Sequence, residues 1–153
     1  MAAIVAESAL FDSGRPLIIV PYIQKGPLKL DHVMVCWDGG GAATRAIADA
    51  IPLPQRAGGV EVVIVTDEPG KQDQLEGAAI GTHLARRGLN IEVKRIPLGD
   101  IDVADMLLSH AADQDIDFIV MGGYGHSRLR ELVLGGVTHS MLRTMTVPVL
   151  MSH

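Results

Sequence analysis

The sequence predicts an α/β protein with an open, five-stranded parallel sheet and helices on both of its faces. Short apolar runs rich in Val and Ile recur along the chain, and segments with helical periodicity separate them. Strands that are buried on both faces of a parallel sheet have this continuous apolar character. The regular alternation of strands and helices implies right-handed crossovers, and therefore a doubly wound, Rossmann-like sheet. Aromatic residues make up only 3% of the chain, which favours an aliphatic core between helices and a sheet.

The individual elements follow from two different periodicities. The five apolar runs assigned to strands are Val33–Trp37, Val60–Thr66, Asn90–Ile96, Asp117–Met121 and Val147–Met151. Helices are indicated where apolar residues recur at i, i+3, i+4 and i+7, which places them on one helical face. The four stripes of this kind are Ala43, Ala46, Ile47, Ala50; Leu75, Ala78, Ala79, Thr82; Ala104, Leu107, Leu108, Ala111; and Leu134, Val137, Thr138, Met141. Asp102 is expected to cap the third helix, and Arg86-Arg87-Gly88 to end the second.

Residues 1–25 lie outside this alternation and form a predicted N-terminal extension. A helix is predicted over Ala2–Phe11 and a strand over Leu17–Val20. At a constant offset of 132 residues (140 minus 8), this extension partly matches the C-terminal segment. The aligned pairs are Ser8 with Ser140, Leu10 with Leu142, Pro16 with Pro148 and Ile18 with Leu150.

Two interpretations of this match stay open. Residues 1–25 are either a simple N-terminal extension or the last helix and strand of a preceding, related domain. In the second case Gln24-Lys25-Gly26-Pro27 is a plausible linker. The main domain is predicted to cover residues 31–153.

Composition and charge argue against several classes of function. The formal net charge is −5 and no basic stripe is present, which argues against a nucleic-acid-binding surface. No apolar run reaches the roughly 18–20 residues that a membrane span needs. The N-terminus also lacks the basic and apolar regions of a signal peptide. We therefore expect a cytoplasmic protein that does not contact membranes.

The reactive side chains form no recognisable catalytic or metal-binding set. Cys36 is the only cysteine, which excludes a disulfide framework, and it is expected to be a small buried side chain. The six histidines are dispersed, with no pair at metal-ligand spacing. No nucleophile, base and orienting acid can be grouped, and the glycine-rich segment described next contains no lysine. We expect no catalytic residues and at most weak ATP hydrolysis.

The most informative segment lies between the fourth predicted strand and the last predicted helix. Gly122 and Gly125 allow tight turning and the close approach of an oxygen-rich ligand to the backbone. Gly135 and Gly136 stand at a helix start, where unpaired N–H groups and the helix dipole favour an anion. Ligands of parallel α/β sheets bind at this carboxyl end of the strands. Gly122–Val137 therefore predicts a phosphate-binding loop, although turns and a helix start alone would also account for the glycines.

This spacing resembles that of the universal stress protein family. The family pattern is a glycine, two residues, a glycine, nine residues, and a glycine followed by Ser or Thr; Gly122, Gly125 and Gly135 match it. The resemblance covers nearly the whole chain after residue 30 and implies a five-stranded parallel sheet in the order 3-2-1-4-5. Members that keep the motif bind ATP or AMP, whereas members that lose it dimerise without nucleotide.

Carried over by position, the resemblance implies which residues contact an adenine nucleotide. Asp38, with Gly39, would lie at the adenosine end of the site, and the backbone of Val65 would approach adenine. Asp38 also ends a central strand, where its carboxylate can accept from ribose hydroxyls or cap the following helix. The residues expected around ribose and phosphates are Met121, Gly122, Gly125, His126, Ser127, Gly135, Gly136 and Val137.

Gly136 departs from the family pattern, because it stands where Ser or Thr is expected. The missing hydroxyl removes one hydrogen bond near charge, worth about 1–3 kcal/mol. Ser127 or Thr138 would be the available substitutes, and the N–H of Gly136 is retained. We therefore expect weak or absent binding of ATP or AMP, with or without Mg²⁺.

The leading hypothesis is a nucleotide-binding regulatory module that acts as a homodimer in a stress response. The resemblance implies that the last strand, Val147–Met151, lies at the sheet edge and pairs antiparallel with a second subunit. If Leu17–Val20 forms a comparable strand, it would compete for that edge or extend the pairing. The alternatives are a dimerisation module of the same fold that binds no nucleotide, and a slow ATPase or nucleotidyl transferase.

Overall fold

Helices and strands alternate along the chain in the computed structural model, which describes residues 2–53, 56–66, 71–123 and 136–153 without the side chains of residues 71–76. The elements in chain order are α1 (Ala2–Ser13), β1 (Leu17–Ile19), β2 (His32–Cys36), α2 (Gly41–Ala50), β3 (Gly59–Thr66), α3 (Lys71–Ala85), β4 (Ile91–Pro97), α4 (Val103–Asp113), β5 (Phe118–Gly122), α5 (Gly136–Thr144) and β6 (Val149–Ser152). The predicted α/β class is confirmed. No helix among the described residues is long and apolar enough to cross a membrane.

The strands form one sheet in the order β1-β6-β5-β2-β3-β4. All neighbouring strands from β6 to β4 run parallel, and only β1 is antiparallel to its neighbour. The five strands after the N-terminal extension therefore have the expected order 3-2-1-4-5. The sheet nevertheless has six strands in the described part of the chain rather than five, because the extension adds one.

The prediction that the last strand lies at the sheet edge is wrong. β6 lies between β5, to which it is parallel, and β1, which pairs with it antiparallel. The register of the antiparallel pair joins Leu17 to Met151, Ile18 to Leu150 and Ile19 to Val149. An unpaired edge exposes a row of backbone donors and acceptors, and the extension satisfies those of β6. Pairing of β6 with a second subunit therefore requires β1 to leave.

The central strands are apolar on both faces, as their sequences predicted. In β2, Val33 and Val35 point into the cluster beneath α2 and α3, whereas Met34 and Cys36 point into the cluster beneath α1, α4 and α5. Phe118, at the start of β5, is fully buried in the first cluster. Each central strand therefore joins two helical layers, and most of its interior side chains are apolar.

Local signals placed several helix ends correctly. The carboxylate of Asp102 accepts a hydrogen bond from the Ala104 N–H at 2.8 Å, so the predicted cap of α4 is confirmed. α3 ends at Ala85, and Gly88 follows with φ of +82°, a conformation that favours glycine. The predicted stripes that begin at Ala43 and Ala104 face the core, as does the described part of the stripe that begins at Leu134. Leu108 and Val137 are half-buried.

The predicted apolar stripe of α3 lies on the wrong face. Ala78, Ala79 and Thr82 are exposed, whereas Ile80 and Leu84 are buried. The helix meets the sheet through Gly77 and Gly81. An added Cβ would lie 2.5 Å from the Arg95 guanidinium and 2.9 Å from Ile64 Cδ1 at Gly77, and 2.9 Å from Val93 Cγ2 at Gly81. The predicted stripe was wrong because the contact face is formed by glycine. Glycine has no side chain that a pattern of apolar residues could include.

Candidate functional site

Three of the predicted site positions meet at the carboxyl edge of the sheet. β2 lies between β3 and β5, and the register pairs Cys36 with Val63 and Val35 with Val120. Asp38 follows β2 by two residues, Val65 is the penultimate residue of β3, and Met121 is the penultimate residue of β5. The strand order reverses beside β2, which is where open parallel sheets bind their ligands.

Asp38 shapes the turn that leads into α2. Its Oδ1 accepts a hydrogen bond from the Gly40 N–H at 2.8 Å, and Gly39 has a φ of +75°, the left-handed region that favours glycine. The helix N-cap is Gly40, and no side chain caps the helix itself. Asp38 therefore caps the turn rather than the helix. Its side chain is exposed, and no donor in the described part of the chain contacts Oδ2.

Val65 and Met121 turn their side chains away from the candidate site. Val65 is half-buried and Met121 is 5% exposed, and both pack in the cluster beneath α1, α4 and α5. Only their backbones are therefore suited to contact a ligand at the sheet edge. This agrees with the backbone contact that was expected for Val65.

Gly122 has a packing role that the sequence did not reveal. A Cβ at this position would lie 2.6 Å from the backbone N of Ala43 and 2.7 Å from the backbone C of Ala42. The first turn of α2 therefore rests directly on the end of β5. The absence of a side chain at Gly122 is required by this helix, so the glycine is not in itself evidence for a ligand.

The start of α5 supplies the described part of the predicted phosphate site. Gly136 is the first residue of the helix, and Val137 is half-buried. Gly125, His126, Ser127 and Gly135 lie outside the described residues. Thr138, a suggested substitute for the missing hydroxyl, is only 3% exposed, which is unfavourable for contact with a ligand from solvent.

The helix of the N-terminal extension reaches the carboxyl ends of the strands, near the candidate site. The sequence had not indicated this contact. Leu10 of α1 is buried against Gly123, where an added Cβ would lie 2.5 Å from Leu10 Cδ2. The Gly123 N–H donates to the carbonyl oxygen of Ser152 at 2.7 Å. The ring of Phe11 packs edge-on against His153, with 4.6 Å between ring centroids. α1 therefore borders the point where the glycine-rich segment leaves β5.

Cys36 and Trp37 belong to the core rather than to a reactive centre. Burial raises the pKa of the Cys36 thiol to about 12, and the negative charge of Asp38 adds to this effect. Trp37 packs against the cluster beneath α2 and α3, and its indole N–H is buried without a hydrogen-bond partner in the described residues. Within these same residues, no three His, Cys, Asp or Glu side chains are grouped closely enough to hold a metal ion.

Comparison with known families gives a match over most of the chain. Residues 29–153 match the family model described as "Universal stress protein family". Comparison with curated proteins gives no match.

The fold is similar to solved universal stress proteins. A universal stress protein from Archaeoglobus fulgidus is 21% identical with a TM-score of 0.73, and the match covers 97% of this chain but only 53% of that one. A structure from the same organism in complex with dAMP is 18% identical (TM-score 0.60), covering 82% of this chain and 98% of that one. An Arabidopsis thaliana family protein with AMP bound is 14% identical (TM-score 0.58), covering 79% and 89%. Likeness at these identities shows a shared fold.

The packing at Gly122 predicts a loss of stability on substitution. We expect Gly122→Ala to lower the free energy of unfolding by about 1–3 kcal/mol, because the new Cβ must displace backbone atoms of α2. Urea denaturation would measure the change. The matched control is Gly41→Ala, at the first residue of α2, where an added Cβ meets nothing within 4 Å. Equal stability of the two variants would contradict the packing role.

The environment of Cys36 predicts an unreactive thiol in the native protein. With its pKa raised from 9.0 to about 12, about one thiol in ten thousand is ionised at about pH 8. Because the pKa is higher in the folded state, this group favours folding below pH 9.0, and its contribution is lost as the pH rises toward 12. Spectrophotometric thiol titration should show slow reaction in buffer and fast reaction in urea. Rapid reaction of the folded protein would contradict this environment.

Proposed function

This chain belongs to the universal stress protein family, and from that premise we propose that it is a regulatory module that binds an adenine nucleotide. The proposed site lies at the carboxyl ends of β2, β3 and β5. The observation that carries the proposal is the geometry of Asp38. The Gly40 N–H fixes one carboxylate oxygen, and the side chain stays exposed at the edge where parallel sheets bind ligands.

The proposed contacts that fall on described residues use groups that the local structure leaves suitable for them. Asp38 accepts hydrogen bonds from the ribose hydroxyls, and the backbone of Val65 contacts adenine. The backbones of Met121 and Gly122 border the ribose, beside Gly39 in the turn. The proposed phosphate contacts come from the glycine-rich segment and the first turn of α5: Gly125, His126, Ser127, Gly135, Gly136 and Val137.

The nucleotide-bound relatives support the class of ligand. Structures of this fold with dAMP and with AMP are known from an archaeon and a plant. We propose AMP or ATP as the ligand here, with Mg²⁺ accompanying ATP. A helix N-terminus binds phosphate through backbone N–H groups and its dipole. Gly136 offers such an N–H but no hydroxyl, so we propose weaker binding than a Ser or Thr at this position would give.

Residues 1–25 are proposed to be the last helix and strand of a preceding, related domain. All but one of the exposed large apolar side chains among the described residues lie between residues 4 and 28. Val5 is 63% exposed where the aligned Val137 is half-buried, and Ile18 is 47% exposed where the aligned Leu150 is 3% exposed. The match with the Archaeoglobus protein covers 97% of this chain but only 53% of that protein. The exposed apolar side chains and the partial coverage both fit a segment that would be covered by the rest of another domain.

A second candidate function is a dimerisation module of the same fold that binds no nucleotide. Gly136 is the observation that favours it, because the expected hydroxyl is missing from the phosphate site. In either case we propose a cytoplasmic role in a stress response. We also propose that the chain forms a homodimer through β6 (Val149–Ser152). This pairing requires β1 to separate from β6.

Substitution of Asp38 tests the proposed nucleotide site. We expect Asp38→Asn to weaken AMP binding about 10- to 100-fold, because the charged acceptor for the ribose hydroxyls is lost while the Gly40 N–H keeps an acceptor. Isothermal titration calorimetry with AMP and ATP would measure the change. The control is Asp113→Asn, on the exposed end of α4 at the opposite edge of the sheet. Absence of binding by the unmodified protein at millimolar AMP and ATP would refute the nucleotide function and favour the second candidate.

Restoring the hydroxyl at position 136 tests the cause of the expected weak binding. We expect Gly136→Ser to tighten ATP binding about tenfold, since one hydrogen bond to a charged group is worth about 1.5 kcal/mol. The same titration measures it, and Gly136→Ala controls for the change in helix propensity. Equal affinities of the Ser and Ala variants would show that the hydroxyl contributes nothing.

A further inference from the structure

The chain leaves β5 between two helices that lie on opposite faces of the sheet. A Cβ at Gly122 would meet backbone atoms of α2, which packs in the first hydrophobic cluster. Gly123, the next residue, is buried against Leu10 of α1, which packs in the second cluster. Two neighbouring glycines therefore leave room for two different helices, one from the main domain and one from the N-terminal extension.

The absence of a side chain at Gly123 is required by Leu10 and not by the backbone. The φ of Gly123 lies outside the left-handed region, so residues with a side chain can adopt its conformation. An added Cβ would lie 2.5 Å from Leu10 Cδ2 and 3.7 Å from Leu10 Cγ, whereas the carbonyl oxygen of Ser152 is 3.8 Å away, an ordinary contact. Leu10 therefore fills the space in which a side chain at position 123 would lie.

α1 contacts the residues on both sides of the hydrogen bond that holds Gly123 in place. The Gly123 N–H donates to the carbonyl oxygen of Ser152 at 2.7 Å, and Leu10 packs on the donor residue. Phe11, the next residue of α1, packs edge-on against His153, which follows Ser152. Leu10 is the only buried residue of α1 and is 2% exposed. Its contact with Gly123 is therefore the main apolar anchor of this helix.

We propose that Leu10 is a positioning residue for the nucleotide site: it fixes the backbone at the end of β5, so that docking of α1 and binding of an adenine nucleotide strengthen each other. This inference rests on the proposed function, in which the backbones of Met121 and Gly122 border the ribose. Leu10 does not contact the nucleotide; it acts through Gly123, which directly follows Gly122. The docked helix and the bound ligand need the same backbone position, and the coupling between two such binding events is reciprocal.

Truncation of Leu10 in the full-length chain tests the proposal. Leu10→Ala removes the contact with Gly123, and we expect it to weaken AMP binding about tenfold, a factor typical of coupled sites. Isothermal titration calorimetry would measure the change. The matched control is Leu84→Ala, because Leu84 on α3 is also 2% exposed but packs in the opposite cluster. This control should lower the free energy of unfolding and leave the affinity for AMP unchanged.

A second substitution, Gly123→Ala, shows whether the effect passes through this one contact. In the unmodified chain the new methyl group meets Leu10 Cδ2, so we expect AMP binding to weaken about fivefold. In the Leu10→Ala background that atom is gone, and the same substitution should change the affinity less than about twofold. A general loss of stability would instead add to the effect of Leu10→Ala.

Hydrogen exchange of α1 (Ala2–Ser13) measures the same coupling from the helix. Saturating AMP should slow exchange of its amides about tenfold in the unmodified chain, because coupling between two binding events is reciprocal. In the Leu10→Ala variant AMP should leave this exchange unchanged. If Leu10→Ala does not fold, Leu10→Val serves in its place, with a smaller shift in the same direction.

Three outcomes would overturn the proposal. The first is equal AMP affinity of the unmodified chain and the Leu10→Ala variant. The second is an equal loss of affinity in Leu10→Ala and Leu84→Ala, which would reduce Leu10 to a general contribution to stability. The third is an effect of Gly123→Ala that is the same in both backgrounds. Failure of the proposed function is a different result, because the unmodified chain itself would then bind neither AMP nor ATP.

Discussion

Burial of both faces of the central strands is the constraint on which this fold depends. Val33 and Met34, adjacent in β2, are both fully buried, in opposite helical layers. A polar side chain within such a strand needs a partner. Glu61 in β3, 7% exposed, has Lys94 Nζ at 3.5 Å and the imidazole of His110 in contact. The polar groups inside the sheet are thus used by contacts within the protein, and a ligand site is expected where the strands end.

The fold class, the strand order and most helix faces were predictable, because a doubly buried strand and a one-sided helix leave different periodicities in the sequence. α3 was the exception: its contact face is built on Gly77 and Gly81, and a pattern based on apolar side chains cannot register a residue that has none. Strand boundaries moved by one or two residues, since hydrogen bonds to neighbouring strands set the ends. The pairing of β1 with β6 was left open by the sequence, because a strand of three residues gains its register only from its surroundings.

The candidate site was predictable in part. The resemblance placed Asp38, Val65 and Met121 in one site, and the structure brings these three positions to the carboxyl ends of neighbouring strands. Their contacts with a nucleotide stay a prediction. The sequence assigned Gly122 to ligand approach, whereas the first turn of α2 already requires a glycine there. No sequence signal pointed to Leu10, which reaches the end of β5 only through tertiary packing. Single glycines in a motif can therefore satisfy structural and functional demands together.

The segment between β1 and β2 ties the N-terminal helix and strand to the surface that they cover. Residues 20–31 contain neither helix nor strand, and they connect the antiparallel strand β1 to the parallel strand β2. Because the connection is covalent, a second molecule that pairs with β6 would have to displace a strand that is always close by. Shortening or lengthening this connection would move the balance without altering either surface. The length of a stretch with no regular structure thus affects how readily β6 could become available to another molecule.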